Sequence, residues 1–161
     1  MGQGASYSCI KCGYAYSYNN GVGFMFPTVY RETVEKAKKG KLGKELKSFF
    51  EEHQDGAINA ERVTLCCEDC GEYKNGMDLG MYVPEKEIPA KRNARWCVAA
   101  PQEDISYVTT SDLKEFYKKY ADYPHKCNKC KGRMRVLAED ETLICPKCKK
   151  PMELMDSIMW D

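Results

Sequence analysis

The chain has 161 residues, 43% of them hydrophobic and 30% charged, with 25 basic side chains against 24 acidic ones. That size suits one domain or two small ones, and the balanced charge argues against a polyanion-coating protein or a disordered acidic module. The most apolar stretches, such as 22–26, fall far short of the roughly 20 residues that cross a bilayer, so no membrane partner is expected.

The chain opens MGQGASYSCIKCG, without the basic and then apolar run of a secretory leader, so a reducing, cytoplasmic setting is expected. Gly2 to Ser6 also fits a myristoylation pattern, but Cys9 follows too closely to leave a free arm. Ten cysteines then dominate the reading. Eight form four CxxC pairs: Cys9 and Cys12, Cys67 and Cys70, Cys127 and Cys130, Cys145 and Cys148. A disulfide framework has no reason to repeat that gap, whereas a metal knuckle does, because two thiolates in one tight turn reach the same ion. Two sites follow, with Cys66 and Cys97 left over. Gly13 and Gly71, each just after a second cysteine, suit a positive φ that turns backbone N–H groups toward sulfur.

After the first knuckle, Tyr30, Val34 and Ala37 recur at helical spacing over 27–39, with Pro27 at the start and Gly40 at the end. A second amphipathic stretch places Leu42, Leu46, Phe49, Phe50 and His53 on one face before Gly56. The region 27–56 therefore reads as a helical hairpin. Val63 to Leu65 reads as a strand entering the second knuckle, and 79–83 as one beyond it. Segment 83–95 is rich in Pro, Lys and Glu and reads as a linker, followed by a strand at 96–99. Thr110 and Ser111 are candidate caps for a helix over 112–120 whose Leu113, Phe116, Tyr117 and Tyr120 share a face.

Between Cys130 and Cys145, residues 133–137 read as an outgoing strand, 138–141 as a turn and 142–144 as the return. The segment CNKCKGRMRVLAEDETLICPKCKKPMEL resembles the small zinc ribbons at the ends of bacterial proteins, which implies one site of Cys127, Cys130, Cys145 and Cys148. The longer loop 13–66 costs only about 1 kcal/mol more to close, so Cys9, Cys12, Cys67 and Cys70 are expected to form the other. Tyr7, Cys9, Cys12, Gly13, Tyr14 and Tyr16 resemble the first knuckle of rubredoxin, and CEDCGEYK is similar to its second. Glu68 stands where rubredoxins usually have proline. This resemblance implies knuckle architecture rather than electron transfer. Four thiolates suit zinc or iron; two Zn2+ per chain are expected, with iron the alternative at the first site.

The remaining residues offer little catalysis. HExxH, GxSxG and GxxxxGK[ST] are absent from the sequence. His53 reads as a packed or surface histidine, His125 as a neighbour of the thiolates, and Cys97 as a small buried hydrophobe. Glu139, Asp140 and Glu141 are placed as in the acidic tips of transcript-cleavage ribbons, but a solvated turn is the better reading. Two zinc–thiolate centres move the formal charge from +1 to about −3, while 126–150 holds eight basic residues against three acidic. That cluster could face a nucleic-acid backbone or compensate the anionic centres.

The expectation is a small α+β metal-bound protein with two zinc-ribbon or rubredoxin-like hairpin modules. Residues 1–90 would form the first, 91–123 a connecting strand and helix, and 124–161 the second. The expected role is a non-enzymatic module binding another protein, with Tyr30, Leu46, Phe49 and Phe50 as the first candidate contact. Nucleic-acid association and rubredoxin-like electron transfer are the alternatives.

Overall fold

The computed structural model describes residues 1–87 and 106–160. In chain order the elements are β1 (Gly2–Ser8), β2 (Ala15–Gly21), α1 (Phe26–Lys38), α2 (Lys44–Glu52), β3 (Ala57–Ile58) and β4 (Arg62–Cys67). They continue with β5 (Tyr73–Met77), β6 (Met81–Pro84), α3 (Thr110–Phe116), β7 (Tyr117–Ala121), β8 (Met134–Val136) and β9 (Glu153–Trp160). The chain divides into two compact units that interleave in sequence. Unit 1 comprises Met1–Gly23, Arg62–Met77 and Pro124–Asp161, and unit 2 comprises Phe24–Glu61 and Asp78–Tyr123. The units thus do not follow the consecutive division 1–90, 91–123 and 124–161. The strand expected at 96–99, and Cys97 with it, lies outside the described residues.

Unit 1 is built on one antiparallel sheet of order β5-β4-β2-β1-β9, with β8 added to the free end of β4. β1 and β2 form a full hairpin from Gly2↔Gly21 to Ser8↔Ala15. Tyrosines make its surface, with Tyr7 stacked on Tyr18 at 6.0 Å and Tyr16 against Tyr73 of β5 at 5.1 Å. β4 and β5 form a second hairpin from Arg62↔Met77 to Cys66↔Tyr73. The hairpins meet at a single pair, Gly21↔Arg62. Each then receives a third strand on its first one: β9 runs along β1, and β8 pairs β4 from Leu65↔Val136 to Cys67↔Met134. The same three-stranded plan therefore occurs twice.

The interior of unit 1 is thin. One buried cluster comprises Cys9, Tyr73, Leu143, Cys145 and Met152, and another Leu65, Cys67, Cys127 and Met134. Four of these nine residues are cysteines of the CxxC pairs, so little hydrocarbon remains once the thiols are set aside. A frame of this kind has little apolar core of its own.

Unit 2 holds the helices. α1 begins with Pro27 in its first turn, buries Phe26, Tyr30, Thr33 and Ala37, and is followed by Gly40 at φ +74°. α2 buries Leu46, Phe49 and Phe50, the face its periodicity marks out. These side chains are core: Leu46 is fully buried, and Tyr30, Phe49 and Phe50 are at most 8% exposed. The expectation that they form a partner contact is therefore corrected. Residues at helical spacing are most economically placed against the protein's own strands, here with Ala57, Ile58 and Leu113 buried in the same unit.

The third helix is shorter than its apolar periodicity suggests. It ends at Phe116, and Tyr117–Ala121 enters the small sheet β3-β6-β7, where Tyr82 pairs Lys119 and Pro84 pairs Tyr117. YKKYA alternates as readily as it winds, and β6 offers it a ladder of backbone partners. The cap is Thr109 rather than Thr110 or Ser111. Its hydroxyl accepts from the Asp112 N–H at 3.2 Å while Asp112 accepts from the Thr109 N–H at 2.9 Å. Thr109→Ala is expected to lower the stability of unit 2 by about 1 kcal/mol, read by denaturant unfolding followed through the helical circular dichroism.

Candidate metal centres

All four CxxC pairs fold into the same turn. The N–H of the first cysteine donates to the carbonyl five residues on: Cys9 to Tyr14 (2.8 Å), Cys67 to Glu72 (2.9 Å), Cys127 to Gly132 (2.9 Å) and Cys145 to Lys150 (2.8 Å). The residue four positions on donates back to the first cysteine's carbonyl, from Gly13 at 2.8 Å and from Gly71, Lys131 and Lys149 at 3.0 Å. That residue must take a positive φ, which is +70°, +74°, +64° and +58° in chain order. Glycine fills it in the two hairpin knuckles and lysine in the other two. A left-handed lysine costs about 1–2 kcal/mol, partly offset by the chain entropy that glycine loses. Lys131→Gly is expected to stabilise the metal-loaded protein by up to about 1 kcal/mol. Gly13→Ala, where a Cβ meets nothing within 4 Å, is expected to destabilise it by a similar amount through the backbone alone. Both are measured by chemical denaturation.

The knuckles assemble in a nested order. Cys9, Cys12, Cys145 and Cys148 form one group of thiols, and Cys67, Cys70, Cys127 and Cys130 the other, with all sulfurs of a group within 4.8 Å of one another. In the outer group Cys9 Sγ lies 3.2 Å from Cys148 Sγ, and Cys12 Sγ 3.4 Å from Cys145 Sγ. In the inner group the corresponding separations are 3.4 Å for Cys67 and Cys130, 3.5 Å for Cys70 and Cys130, and 3.8 Å for Cys70 and Cys127. A tetrahedron with metal–sulfur bonds of about 2.3 Å has edges of about 3.8 Å, close to these values. The eight expected cysteines are thus gathered into two groups that could bind metal.

The expected partnership is corrected. Cys9 and Cys12 do not meet Cys67 and Cys70, and Cys127 and Cys130 do not meet Cys145 and Cys148. The site at which iron was the alternative, Cys9/Cys12/Cys67/Cys70, is not formed. The short 131–144 loop favours pairing the last two knuckles by only about 1 kcal/mol over the longer excursion. Against that, the chain leaving Cys130 enters β8 and lays Met134 on β4, where Leu65 and Met134 are 1% and 3% exposed. Each such burial is worth about 1.5–3 kcal/mol. The Leu137 N–H then donates to the Thr64 carbonyl at 2.8 Å. The return expected at 142–144 never pairs β8; Ile144 instead bridges Pro151 around the last knuckle.

Neighbouring N–H groups and thiols draw some of these cysteines down and push others up. The Cys130 N–H is the main influence drawing Cys127 down to about 7, against the opposing effect of burial. Burial opposes ionisation of Cys145, but the N–H groups of Cys148 and Lys147 and the neighbouring thiols bring it to about 6. Cys130 goes the other way: the Gly132 N–H favours its thiolate, yet Cys67, Cys70 and burial push it up to about 12. Four thiols so close cannot all ionise without a positive centre. Metal loading is therefore expected to release protons near neutral pH and to weaken on acidification, both followed in a weakly buffered titration with a pH indicator.

The leftover groups are not members of either thiol group among the described residues. Cys66 packs against the outer group's core, while its neighbour Cys67 points into the inner group, as alternation along β4 requires. Its thiol is raised chiefly by burial. The His53 ring lies tilted against Phe49 (5.3 Å) and edge-on to Tyr120 (4.9 Å), and the His125 carbonyl accepts from the Met134 N–H at 3.0 Å. Neither ring joins a thiol group. Glu141 is held by the Arg135 guanidinium on both carboxylate oxygens, which ties it into the turn.

The basic residues of 126–150 are largely engaged beside the thiols. Lys129 pairs Glu72 at 3.1 Å and Arg133 lies 3.8 Å from Glu68, both carboxylates coming from the second knuckle. Glu72 also accepts from the Tyr14 hydroxyl at 2.6 Å, and that bond is the leading cause of its lowered pKa. Lys147 sits over the Tyr14 ring at 5.8 Å, and the Lys149 ammonium lies 3.5 Å from the Cys70 carbonyl. No protein-family model, curated protein or solved structure matches this chain.

Proposed function

We propose that this protein is a non-enzymatic protein-interaction module whose unit 1 is stapled by two structural zinc ions in zinc-ribbon-like frames. The observation that carries the reading is the closed set of four thiols in each group. Four sulfurs fill a tetrahedron, whereas a catalytic zinc keeps one position for water or substrate. The repeated plan supports the ribbon reading, since each group sits on a two-stranded hairpin widened by a strand from the second knuckle's side. Bound zinc supplies a redox-inert cross-link, and the thin cores of unit 1 are where such a link contributes most. Lys129 and Arg133, drawn to Glu72 and Glu68, favour charge compensation over a nucleic-acid groove. Thiolate sites of this type belong in a reducing compartment, for which we propose the cytoplasm.

The test is metal content and absorbance of protein purified without added metal. Two zinc ions per chain in a colourless protein are expected. A red protein containing iron would overturn the structural reading and restore electron transfer.

A further inference from the structure

The apolar surface that unit 1 leaves in solvent is concentrated on its last strand. β9 closes one end of the sheet order, with β1 on its inner side and, among the described residues, no strand on its outer side. Leu154 and Ile158 are each 55% exposed, Met155 67% and Met159 73%. These residues fall on both faces of the strand, so hydrocarbon flanks the free edge above and below. On one face Trp160 and part of Ile158 lie across β1, where a Cβ at Gly2 would strike the Trp160 ring and one at Gly4 would approach Ile158, and the rest of Ile158 stays in solvent.

Exposed edges of this length usually carry lysine, proline or an inward charge that blocks further pairing. β9 has neither lysine nor proline. It carries one irregularity, where Tyr7 pairs Leu154 and Ser6 pairs Asp156 so that Met155 is the extra residue, and the regular run continues to Trp160. Its own charges are Glu153 and Asp156, both exposed, and Asp156 Oδ1 accepts from the Ser157 N–H at 2.8 Å, a local bond that an incoming strand would replace. A second copy would bring the same two carboxylates and no cation from its strand, and like charges across a strand pair are destabilising. A strand carrying Lys or Arg opposite those positions gains instead.

We propose that the outer edge of β9 is the docking site for an extended, basic, apolar-alternating peptide segment of a partner protein, which joins the sheet as an added strand. Backbone hydrogen bonds along 156–160 supply the affinity, with the Ser157 N–H exchanging Asp156 Oδ1 for a carbonyl of the incoming strand; Glu153 and the released Asp156 select basic side chains, and the exposed leucine, isoleucine and methionines cover the alternate apolar ones. The proposal rests on the interaction-module reading and names its surface and partner chemistry.

The test uses the full zinc-loaded chain and end-blocked, fluorescently labelled peptides of four Lys-Val repeats, four Glu-Val repeats, and the Lys-Val peptide with its central valines replaced by proline. Anisotropy at low ionic strength is expected to show the Lys-Val peptide binding at least tenfold tighter than either control, with deuterium exchange slowed at the β9 amides. The double substitution Glu153→Lys with Asp156→Lys, both at exposed positions, is expected to reverse the preference toward the Glu-Val peptide. Equal binding of all three peptides, protection away from β9, or protection of β9 by concentration-dependent self-association would overturn the assignment. Metal content measured on the same sample separates the two readings: full zinc without peptide preference sinks the edge site alone, and absent zinc sinks the stapled module.

Discussion

A protein carrying Cys9→Ser together with Cys67→Ser is expected to bind no metal stoichiometrically, whereas one carrying Cys9→Ser with Cys145→Ser retains one ion per chain. The first pair of substitutions removes a ligand from each thiol group and the second removes two from the same group. If the knuckles paired in the order their spacing suggests, the outcomes would be reversed. Losing a thiolate from a four-sulfur site leaves a vertex for water and lowers affinity by several orders of magnitude, so the counts separate cleanly after dialysis against a moderate chelator. Each single variant is expected to retain one ion. Mass spectrometry under native conditions reads the numbers directly.

Removing both metals is expected to unfold unit 1 while leaving the helices of unit 2 formed. Structural zinc in small domains contributes apparent binding free energies of about 10–16 kcal/mol per site at neutral pH, comparable to the whole stability of a small domain. Unit 1 has little to set against that loss, because nearly half of the residues in its two buried clusters are cysteines of the thiol groups. Unit 2 draws on Leu46, Phe49, Phe50, Ile58 and Leu113, and none of its described residues belongs to either thiol group. A strong chelator should therefore abolish amide protection along β1, β4 and β9 while the α1 and α2 signals persist. Re-adding zinc should restore the lost protection.

Much of the local structure was legible because local chemistry decides it. Pro27, the spacing of Tyr30 and Ala37, and Gly40 set α1, and the Leu46, Phe49 and Phe50 face set α2. Gly13 and Gly71 announced the left-handed turn that the structure places after each second cysteine. Lys131 and Lys149 show that the turn itself, rather than glycine, is what the two-residue gap requires. α3 ends before its periodicity does because Leu113, Phe116, Tyr117 and Tyr120 satisfy a helical face while YKKYA also fits a strand beside β6.

The pairing of knuckles was not legible from spacing, since loop length enters closure entropy only logarithmically and strand pairing outweighs it. One signal was present in the sequence. The first two knuckles read CxxCG and the last two CxxCK, and each site takes one of each kind. The glycine knuckles are the turns of hairpins β1–β2 and β4–β5, and the lysine knuckles precede the strands β8 and β9 that widen them. A chain with two hairpin knuckles followed by two strand-donating knuckles can pair them first with last and second with third, and here it does. The exposed character of β9 was likewise hidden, because ELMDSIMW has the composition of a buried strand.

The two four-thiol groups are nested, the outer one joining knuckles near either end of the described residues and the inner one the two between. The most direct measurement is a correlation spectrum of protein loaded with NMR-active cadmium, in which each metal resonance connects to the β-protons of its own cysteines. The nested arrangement predicts two cadmium signals, one linked to Cys9, Cys12, Cys145 and Cys148 and the other to Cys67, Cys70, Cys127 and Cys130. A single cadmium linked to both Cys9 and Cys67, or to both Cys127 and Cys145, would contradict it.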